Sequence, residues 1–419
     1  MRPLPSLPEW VTLEHQVAKI LTEQEIHGWY FNERLARELE CSLRQELRDI
    51  TQVLQDRFPF VPGAEFTPKR NNRTQGYVEG CTFTRLKEFN PSSREHVAWI
   101  LKTHDSFKPE SSTSTGKDSI DETILTAHGT TLALTFLRIL ELTKILGMMS
   151  EGVNAWLKLC TSASRIHHHC SVGAATFRQT HRNPNLSQVP SGPTYRQLFT
   201  ASPGQVMVGA DLSGIELRML AHYLARYDGG RYAEILLNGD IHQVNADKIG
   251  VSRKLVKNIS YAYLYGAGDV KIGLTYDPQL LPKQAKQKGA EIRAAFVAAI
   301  DGLSELNAAI KAASDRGYVK AIDGRKVLLS SPHCALNYLL QSSAAVIAKR
   351  WLVLANDNSF CCSQLGFIHD ELQYESDPEC ADLLKSHLET TATEAGTYYN
   401  LRVPIAAEGS IGENWADTH

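Results

Sequence analysis

Basic and aromatic side chains recur every four residues in the segment from Arg253 to Gly266. Arg253 and Lys257 come first, and Tyr261 and Tyr265 follow. In a helix each step of four residues turns about 40° and rises about 6 Å, so these side chains form one slanting stripe. A nucleoside triphosphate needs this order, with positive charge for its phosphates and flat rings for its sugar and base. An isolated stripe would more simply be a solvated basic face with core tyrosines.

Two acidic segments, far apart in the sequence, favour the nucleotide-binding interpretation. An apolar run that ends at Asp211 is typical of a buried strand, and a helical pattern follows from Ile215. Two short apolar runs flank His369-Asp370-Glu371, as in a tight hairpin with acids at its tip. Mg²⁺ prefers one or two protein carboxylates, with phosphate oxygens and water as its other ligands. A single acid is usually a turn residue or helix cap, but together these segments predict a two-Mg²⁺ site for nucleotidyl transfer.

With these three segments in order, the chain resembles the DNA polymerase I family (family A). Asp211 with residues 213–218 resembles motif A, residues 253–266 resemble motif B, and His369-Asp370-Glu371 resembles motif C. Residues 177–190 resemble the segment that contacts the primer. The resemblance covers nearly the whole chain, as a polymerase domain only, and is nearest to replicative polymerases of T-odd short-tailed bacteriophages. It implies template-directed addition of deoxynucleotides to a primer 3′ end.

The fold that the resemblance implies is an α+β right-hand polymerase fold, with an antiparallel sheet in the palm, helical fingers and a helical thumb. Leucine spacing also predicts a long helix after Asn32 and a second over residues 132–149, which we expect to pack together. The expected bounds are thumb 1–149 with a loop over 60–88 at its tip, first part of the palm 150–223, fingers 224–336 and second part of the palm 337–419.

The resemblance implies a role for each site residue. Asp211 and Asp370 are expected to bind both Mg²⁺ ions with the backbone carbonyl of Leu212, while Glu371 tunes the site. Gln341, Arg178 and His369 are expected to read minor-groove acceptors. The residues expected around the incoming nucleotide are Arg253, Lys257, Tyr261, Tyr265, Glu216 and His242. The residues expected on DNA are Arg178, His181, Gln341, His369, Lys69, Arg70 and Arg73.

Glu216 and Tyr261 are expected to form a wall under the 2′ position of the nucleotide sugar. A 2′-hydroxyl would clash with this wall, so the resemblance implies a preference for deoxynucleotides. Lys69, Arg70 and Arg73 suit phosphate contacts, although a merely solvated loop has the same composition.

Composition limits the class of protein. The formal charge is −2 and the isoelectric point is about 6.7, so a basic footprint on DNA must be local. No apolar run is long enough to cross a bilayer and no secretion core is present, so we expect a cytoplasmic protein, or one of the host cytoplasm or nucleoid if viral.

The eight cysteines show no CxxC pair, as in a reduced protein. Residues 167–170, His-His-His-Cys, do not predict a zinc site, because adjacent residues cannot all face one metal.

Three differences from the family bear on the local structure and on the expected partners. Phe177 stands where the family has glycine, which puts the local loop path in question. We expect no proofreading exonuclease domain ahead of the thumb, so a separate exonuclease chain is a possible partner. The loop at 60–88 is shorter than the insertion with which phage relatives capture thioredoxin, so we expect no thioredoxin binding. Primer-template DNA and deoxynucleoside triphosphates are the expected ligands, and no membrane is expected as a partner.

Two other functions compete. A single-subunit RNA polymerase shares a related palm and a similar Arg/Lys/Tyr helix, but Glu216 and Glu371 favour the DNA enzymes. A non-catalytic replication scaffold on a polymerase fold would not need Asp211, Asp370 and Lys257 together.

Overall fold

The protein is described from a computed structural model that covers residues 7–109, 116–278, 280–356 and 359–419. It divides into two compact units. The larger unit consists of Met1–Leu35 with Trp156–His419, and the smaller unit consists of Ala36–Ala155. Across the described ranges, no helix is both long and apolar enough to span a membrane.

Helices make up most of the regular structure. The helices are α1 Glu9–His27, α2 Glu33–Arg57, α3 Arg94–His104, α4 Glu122–His128, α5 Thr131–Leu146, α6 Trp156–Leu159, α7 Pro193–Arg196, α8 Ile215–Asp228, α9 Arg231–Asn238, α10 Ile241–Ile249, α11 Arg253–Leu264, α12 Asp269–Tyr276, α13 Pro282–Ala299, α14 Leu303–Ser314, α15 Ala335–Ala355 and α16 Ala381–Tyr398.

Strands are short and lie in several sheets. The strands are β1 Trp29–Phe31, β2 Phe60–Phe66, β3 Phe83–Glu88, β4 Arg165–Ile166, β5 His169–Ser171, β6 Thr180–Arg182, β7 Phe199–Thr200, β8 Val206–Leu212, β9 Tyr318–Lys320, β10 Lys326–Leu328, β11 Cys362–Ile368, β12 Glu371–Ser376 and β13 Ala407–Gly412.

The two long helices predicted from leucine spacing are present as α2 and α5, and they pack together in the smaller unit. Arg138 on α5 donates to both carboxylate oxygens of Glu46 on α2, at 2.7 and 2.8 Å. Leu54 on α2 and Ile139 on α5 belong to one buried apolar cluster. Asn32 caps α2, because its Oδ1 accepts the backbone N–H of the third residue after it at 3.0 Å.

The segment 60–88 is a β-hairpin and not the irregular loop that its composition predicts. β2 and β3 pair antiparallel, with Phe60 opposite Glu88. The rings of Phe66, Tyr77 and Phe83 pack with centroids 5.4 to 5.6 Å apart. These aromatic contacts stabilise strands that Pro and Gly would otherwise disfavour.

The candidate site is carried by a four-stranded antiparallel sheet in the larger unit, in the order β11-β12-β8-β13. The predicted strand before Asp211 and the predicted hairpin around His369-Asp370 are both confirmed, as β8 and as β11 with β12. Helices α8, α15 and α16 contribute buried residues to the same apolar core as this sheet. α15 is buried along almost its whole length.

Helix α1 belongs with the larger unit, although the sequence analysis placed it in the thumb. Its residues Leu13 and Val17 are fully buried in the core of that unit. Lys349 on α15, also 0% exposed, donates to both carboxylate oxygens of Glu14 at 2.8 and 2.7 Å. The compact smaller unit therefore covers 36–155, where the sequence predicted a thumb over 1–149.

The end of helix α11 is fixed by its neighbours. Arg293 on α13 donates to Asp269 at 2.6 Å and also to the carbonyl oxygen of Ala267. α12 and α13 approach backbone to backbone, because a Cβ at Gly289 would lie 1.7 Å from the carbonyl oxygen of Asp269. Glycine at position 289 is thus required for the close packing of α13 against the start of α12.

Candidate active site

Strand register places two acidic segments side by side at one end of the sheet. Asp211 near the end of β8 lies opposite Glu371 at the start of β12. The backbone N–H of Leu212 donates to the carbonyl oxygen of Asp370 at 3.0 Å. Asp211 and Asp370, 159 positions apart in the chain, are therefore neighbours across adjacent strands.

The carboxylates at this strand end repel one another. Burial raises the pKa of Asp211 to about 7, and the negative charges of Asp370 and Glu371 add to the shift. Burial and the charge of Glu216 raise the pKa of Asp370 to about 6, although Arg178 acts in the opposite direction. Such a group of partly buried acids favours a bound cation, since a cation offsets the repulsion.

Glu371 has a different environment from the two aspartates. It is 4% exposed, and Trp415 Nε1 and Gln373 Nε2 donate to its Oε1 at 2.5 and 2.7 Å. His419 Nδ1 lies 3.0 Å from its Oε2. Because protein groups already occupy both oxygens, the structure leaves Glu371 less free than Asp211 to bind a metal.

The stripe of side chains predicted on one helix lies on α11. Arg253 and Lys257 are exposed, Tyr261 is half-buried, and Tyr265 is the residue that caps the helix at its C-terminus. The rings of Tyr261 and Tyr265 stack with centroids 6.4 Å apart. Val256 and residues 259 and 263 form the buried opposite face, so the sequence pattern separates the two faces correctly.

Arg253 is engaged by an acid to which the sequence analysis gave no role. Its Nε lies 2.5 Å from Asp240 Oδ2, while Asp240 Oδ1 accepts the backbone N–H groups of His242 and Gln243 at the start of α10. His242 is buried, and its ring lies 6.3 Å from that of Tyr261. The capping position of Asp240 before an apolar helix was the signal available in the sequence.

Glu216 connects motif A with two other predicted site residues. Arg178 donates to its Oε1 at 2.6 Å, and the Tyr265 hydroxyl donates to the same oxygen at 3.1 Å. The structure thus brings together the arginine of the primer-contacting segment, the acid of motif A and the last tyrosine of motif B.

Phe177 adopts the backbone conformation that the family's glycine would adopt most easily. Its φ is 62°, in the left-handed region. Its ring packs against the guanidinium of Arg325, 4.9 Å from the centroid. This contact with Arg325 gives the bulky side chain a place outside the acidic cluster, and Arg178 beside it still reaches Glu216.

Among the predicted DNA contacts of the larger unit, His181 is buried beside motif C. His181 is 7% exposed, and its ring lies 5.8 Å from that of His369. His369 and Gln341 are partly exposed. The predicted contacts of the smaller unit, Lys69, Arg70 and Arg73, are exposed in the connection between β2 and β3.

The residues that contact the Glu371 carboxylate were not predicted from the sequence. Trp415 is 1% exposed and packs against Trp29 with ring centroids 5.0 Å apart. The contact of Trp415 with Glu371 crosses 44 positions of the chain. A local pattern does not show that pairing.

The solved structure of the POL domain of Pol1 from M. smegmatis, in complex with DNA primer-template and dNTP, superposes on this chain with a TM-score of 0.78 at 21% sequence identity. The match covers 97% of this chain and 70% of that chain. The chain therefore has the right-hand polymerase fold that the sequence predicted, with an antiparallel sheet among its helices.

Sequence comparison identifies the family. A DNA-directed DNA polymerase of Enterobacteria phage T3 is 30% identical, over 98% of this chain and 70% of the phage protein. A DNA-directed DNA polymerase of Escherichia phage T7 is 29% identical with the same coverages. The sequence profile of DNA polymerase family A matches residues 34–417. The chain belongs to DNA polymerase family A, and its enzymatic class is that of a DNA-directed DNA polymerase.

Proposed function

We propose that the chain adds deoxynucleotides to a primer 3′ end by in-line nucleotidyl transfer with two Mg²⁺ ions held by Asp211 and Asp370. The observation that carries this proposal is the register of β8 and β12, which brings these two acids together at one strand end. The raised pKa of each carboxyl supports it, because the acids repel one another where no cation is bound. Their oxygen atoms suit Mg²⁺, which prefers hard carboxylate ligands.

Asp211, Asp370 and the backbone carbonyl of Leu212 would hold the ions. When bound, the two ions lower the pKa of the attacking 3′-hydroxyl and neutralise charge on the leaving pyrophosphate. Glu371 would position the hairpin of β11 and β12 and contribute to the electrostatic field at Asp211. Its three protein contacts, from Trp415, Gln373 and His419, support this tuning role over direct bridging of both ions.

Helix α11 would bind the nucleotide along its exposed stripe. Arg253 and Lys257 hold the triphosphate, with His242 nearby, and Tyr261 lies against the sugar and base. Tyr265 stacks near the templating base once it leaves Glu216. Because little covalent chemistry falls to the protein in such a transfer, positioning and charge neutralisation carry the rate.

The DNA contacts form a second part of the proposal. Arg178, Gln341 and His369 read minor-groove acceptors that correct base pairs share. Lys69, Arg70 and Arg73 contact phosphates, which position the duplex without reading its sequence. His181 was predicted as a DNA contact too, but it is 7% exposed in this structure, so it is left out of the proposed DNA contacts.

Primer extension tests the proposal. The experiment uses a labelled primer on a DNA template, with Mg²⁺ and either deoxy- or ribonucleotides. Asp211→Asn and Asp370→Asn should each reduce extension by at least about 10³-fold, because each removes a charge needed to bind the ions. Duplex affinity, measured by fluorescence anisotropy, should change little. Asp382→Asn, an exposed acid on α16, is the matched control and should keep full activity.

The outcomes separate the competing functions. Extension only with ribonucleotides would favour an RNA polymerase. Duplex binding without extension by the wild-type chain would favour a replication scaffold. Near-normal turnover in either aspartate variant would show that this acid does not bind the catalytic ions.

Proofreading is tested separately. A mismatched primer end should persist when the purified chain is incubated with Mg²⁺ and no nucleotide. Trimming of that end by wild-type protein and by Asp211→Asn alike would reveal an exonuclease activity in the chain. A separate exonuclease chain as partner and a site of action in the host cytoplasm or nucleoid both stay predictions.

A further inference from the structure

Three side chains with metal-binding atoms meet inside the larger unit, apart from the carboxylate site. One ring nitrogen each of His168 and His181, and the Sγ atom of Cys170, all lie within 4.8 Å of one another. The three residues are 0%, 7% and 7% exposed, respectively. Histidine nitrogen and cysteine sulfur are the preferred ligands of zinc in proteins.

Strand geometry explains why these residues meet although the sequence argued against a zinc site. Adjacent residues of an extended chain point to opposite faces, but residues two apart share a face. His168 and Cys170 are two apart, and Cys170 lies directly opposite His181 in the β5–β6 pair. The third ligand therefore comes across the hairpin, from 11 positions further along the chain.

The spacing of the atoms is close to that of two ligands on one zinc ion. Cys170 Sγ lies 3.2 Å from His181 Nδ1. With bonds of about 2.3 Å to sulfur and about 2.0 Å to nitrogen, a tetrahedral zinc places such a pair about 3.5 Å apart. A small rotation of either side chain produces this separation.

Gln24 on α1 supplies a candidate for the fourth ligand. Its side chain is 1% exposed, and Nε2 lies 3.3 Å from His168 Nε2 and 3.4 Å from Cys170 Sγ. Its Oε1 accepts from Gln364 Nε2 at 2.7 Å, and Gln364 Oε1 accepts from the Tyr374 hydroxyl at 3.2 Å. If both amides rotate by 180°, Gln24 Oε1 faces the cluster. The Gln24–Gln364 hydrogen bond and the contact with Tyr374 are then kept, with donors and acceptors exchanged.

Without an ion the same atoms are held by weaker contacts. The Gln24 amide donates toward His168 and Cys170, and the Cys170 thiol faces His181. In the described part of the chain, the remaining ring nitrogens, His168 Nδ1 and His181 Nε2, are buried without a hydrogen-bond partner. An ion in the cluster would bind His168 Nε2 and His181 Nδ1, which face Gln24 and Cys170, and would leave the other nitrogen of each ring as it is.

We propose that His168, Cys170, His181 and Gln24 form a closed structural Zn²⁺ site that fastens the β5–β6 hairpin to α1. Binding replaces the thiol proton of Cys170, which leaves to solvent, and the thiolate neutralises one charge of the ion. The ring of His181 packs against that of His369, which precedes Asp370. The ion would therefore stiffen the support of motif C and of the segment that carries Arg178, without taking part in the transfer.

Metal content tests the site. The chain is produced with zinc in the medium, freed of any affinity tag, dialysed against zinc-free buffer with excess Mg²⁺, and analysed by plasma mass spectrometry. Wild-type protein should retain about one zinc per chain, and Cys170→Ser and His181→Gln less than about a tenth of that. Cys41→Ser, an exposed thiol of the smaller unit, is the matched control and should retain zinc. Asp211→Asn should retain it as well, which places the ion away from the catalytic acids.

Cobalt gives a second measurement. Wild-type chain reconstituted with Co²⁺ should show a thiolate-to-cobalt charge-transfer band, which Cys170→Ser loses and Cys41→Ser keeps. If circular dichroism shows that Cys170→Ser does not fold, the zinc content and the cobalt band of the wild-type protein decide whether the site exists. Alkylation of Cys170, mapped by peptide mass spectrometry, should be slow with zinc and fast after chelation. A wild-type chain that retains no zinc and shows no cobalt band would overturn the site, as would zinc retained equally by Cys170→Ser.

Discussion

Arg178 donates to Oε1 of Glu216 at 2.6 Å, so the arginine of the primer-contacting segment is fastened to motif A. The hydroxyl of Tyr265 shares that oxygen at 3.1 Å. The carboxylate under the expected 2′ position is thus already engaged when no nucleotide is bound. A nucleotide and its template partner would have to release Tyr265 from Glu216, which couples sugar selection to movement at the end of α11.

Glu216→Ala should weaken discrimination against ribonucleotides. The variant removes the wall under the 2′ position, so the ratio of kcat/KM for deoxy- over ribonucleotides should fall by about tenfold or more, the size expected from one to three kcal/mol of lost discrimination. Single-nucleotide incorporation kinetics measure the ratio. Glu216→Gln keeps the size of the side chain and should retain most of it. An unchanged ratio in Glu216→Ala would remove this residue from sugar selection.

Mg²⁺ dependence should vary with pH in a direction set by the two aspartates. Burial and neighbouring negative charge raise the pKa of Asp211 to about 7 and that of Asp370 to about 6. A raised pKa means that the acid is protonated at higher pH than usual, and a protonated acid does not bind the ion. The Mg²⁺ concentration for half-maximal extension should therefore rise as pH falls from 8 to 6, by up to about tenfold per pH unit for each competing proton. Equal half-saturation at pH 8 and pH 6 would contradict the assignment.

The elements around the site could be predicted because each carries a local period. The apolar run before Asp211 and the runs around Asp370 give strands, and four-residue spacing gives α11. The family resemblance then placed them in one fold. These features depend on residues close in sequence or on motifs in a known order.

Contacts that cross long stretches of chain could not be predicted in the same way. The pairing of Arg253 with Asp240, the hold of Trp415 on Glu371 and the burial of His181 depend on which surfaces meet in three dimensions. The hairpin at 60–88 was missed because Pro and Gly suggested a loop, while aromatic packing stabilises the strands. The packing of helix α1 in the larger unit was not predicted, since amphipathic spacing shows that a face is buried but not against which element.

Lys257→Ala should act on nucleotide use. Lys257 is exposed on the stripe of α11, one turn after Arg253, where a phosphate contact is expected. At saturating primer-template the rate of incorporation should fall by about 10²-fold, because a charge that positions the triphosphate is lost. Lys286→Ala, an exposed lysine on α13, is the control and should leave the rate unchanged. Weakened DNA binding with an unchanged incorporation rate would move Lys257 to a DNA contact.

Glu375 should stabilise the fold in a pH-dependent way that is independent of catalysis. It is 4% exposed, and His27 Nε2, Arg165 and the Ser202 hydroxyl lie 2.5, 3.0 and 2.7 Å from its carboxylate. Burial alone would raise the pKa of Glu375, but these contacts outweigh it and hold the pKa at about 2. The folded pKa is lower than the unfolded one, so the stabilisation is present above the unfolded value and is lost as pH falls toward 2.

Urea denaturation measures this effect. Glu375→Gln should lower the free energy of unfolding at pH 7 by about 2 to 4 kcal/mol, as expected when one partner of a buried ion pair is removed. The difference from wild type should shrink steadily between pH 5 and pH 2. Glu23→Gln, in an exposed pair with Lys19, should change little at any pH. A constant difference across this pH range would show that Glu375 acts through packing and not through its charge.

The hairpin of the smaller unit leads to a prediction about processivity. Lys69, Arg70 and Arg73 lie exposed between β2 and β3, and we expect them to hold duplex phosphates. Replacing all three with Ala should shorten products under a DNA trap and flatten the salt dependence of binding, by up to about 0.9 in log–log slope for each lost contact. Single-turnover incorporation should barely change, since none of the three is expected to touch the nucleotide or the ions. Lys283→Ala with Lys286→Ala, exposed on α13, tests whether loss of positive charge elsewhere has the same effect.

Thioredoxin should neither bind this hairpin nor lengthen the products. Residues 60–88 are used in two paired strands and a packed aromatic cluster of Phe66, Tyr77 and Phe83, which leaves little chain to build a further docking surface. Unaided synthesis should therefore be distributive at moderate salt, because a grip through phosphates weakens steeply as salt rises. Product length under a DNA trap, with and without added thioredoxin, is the decisive measurement. A large increase with thioredoxin, lost when the exposed residues Val78 and Leu86 of this segment are changed to Ser, would show that the hairpin is itself the docking surface.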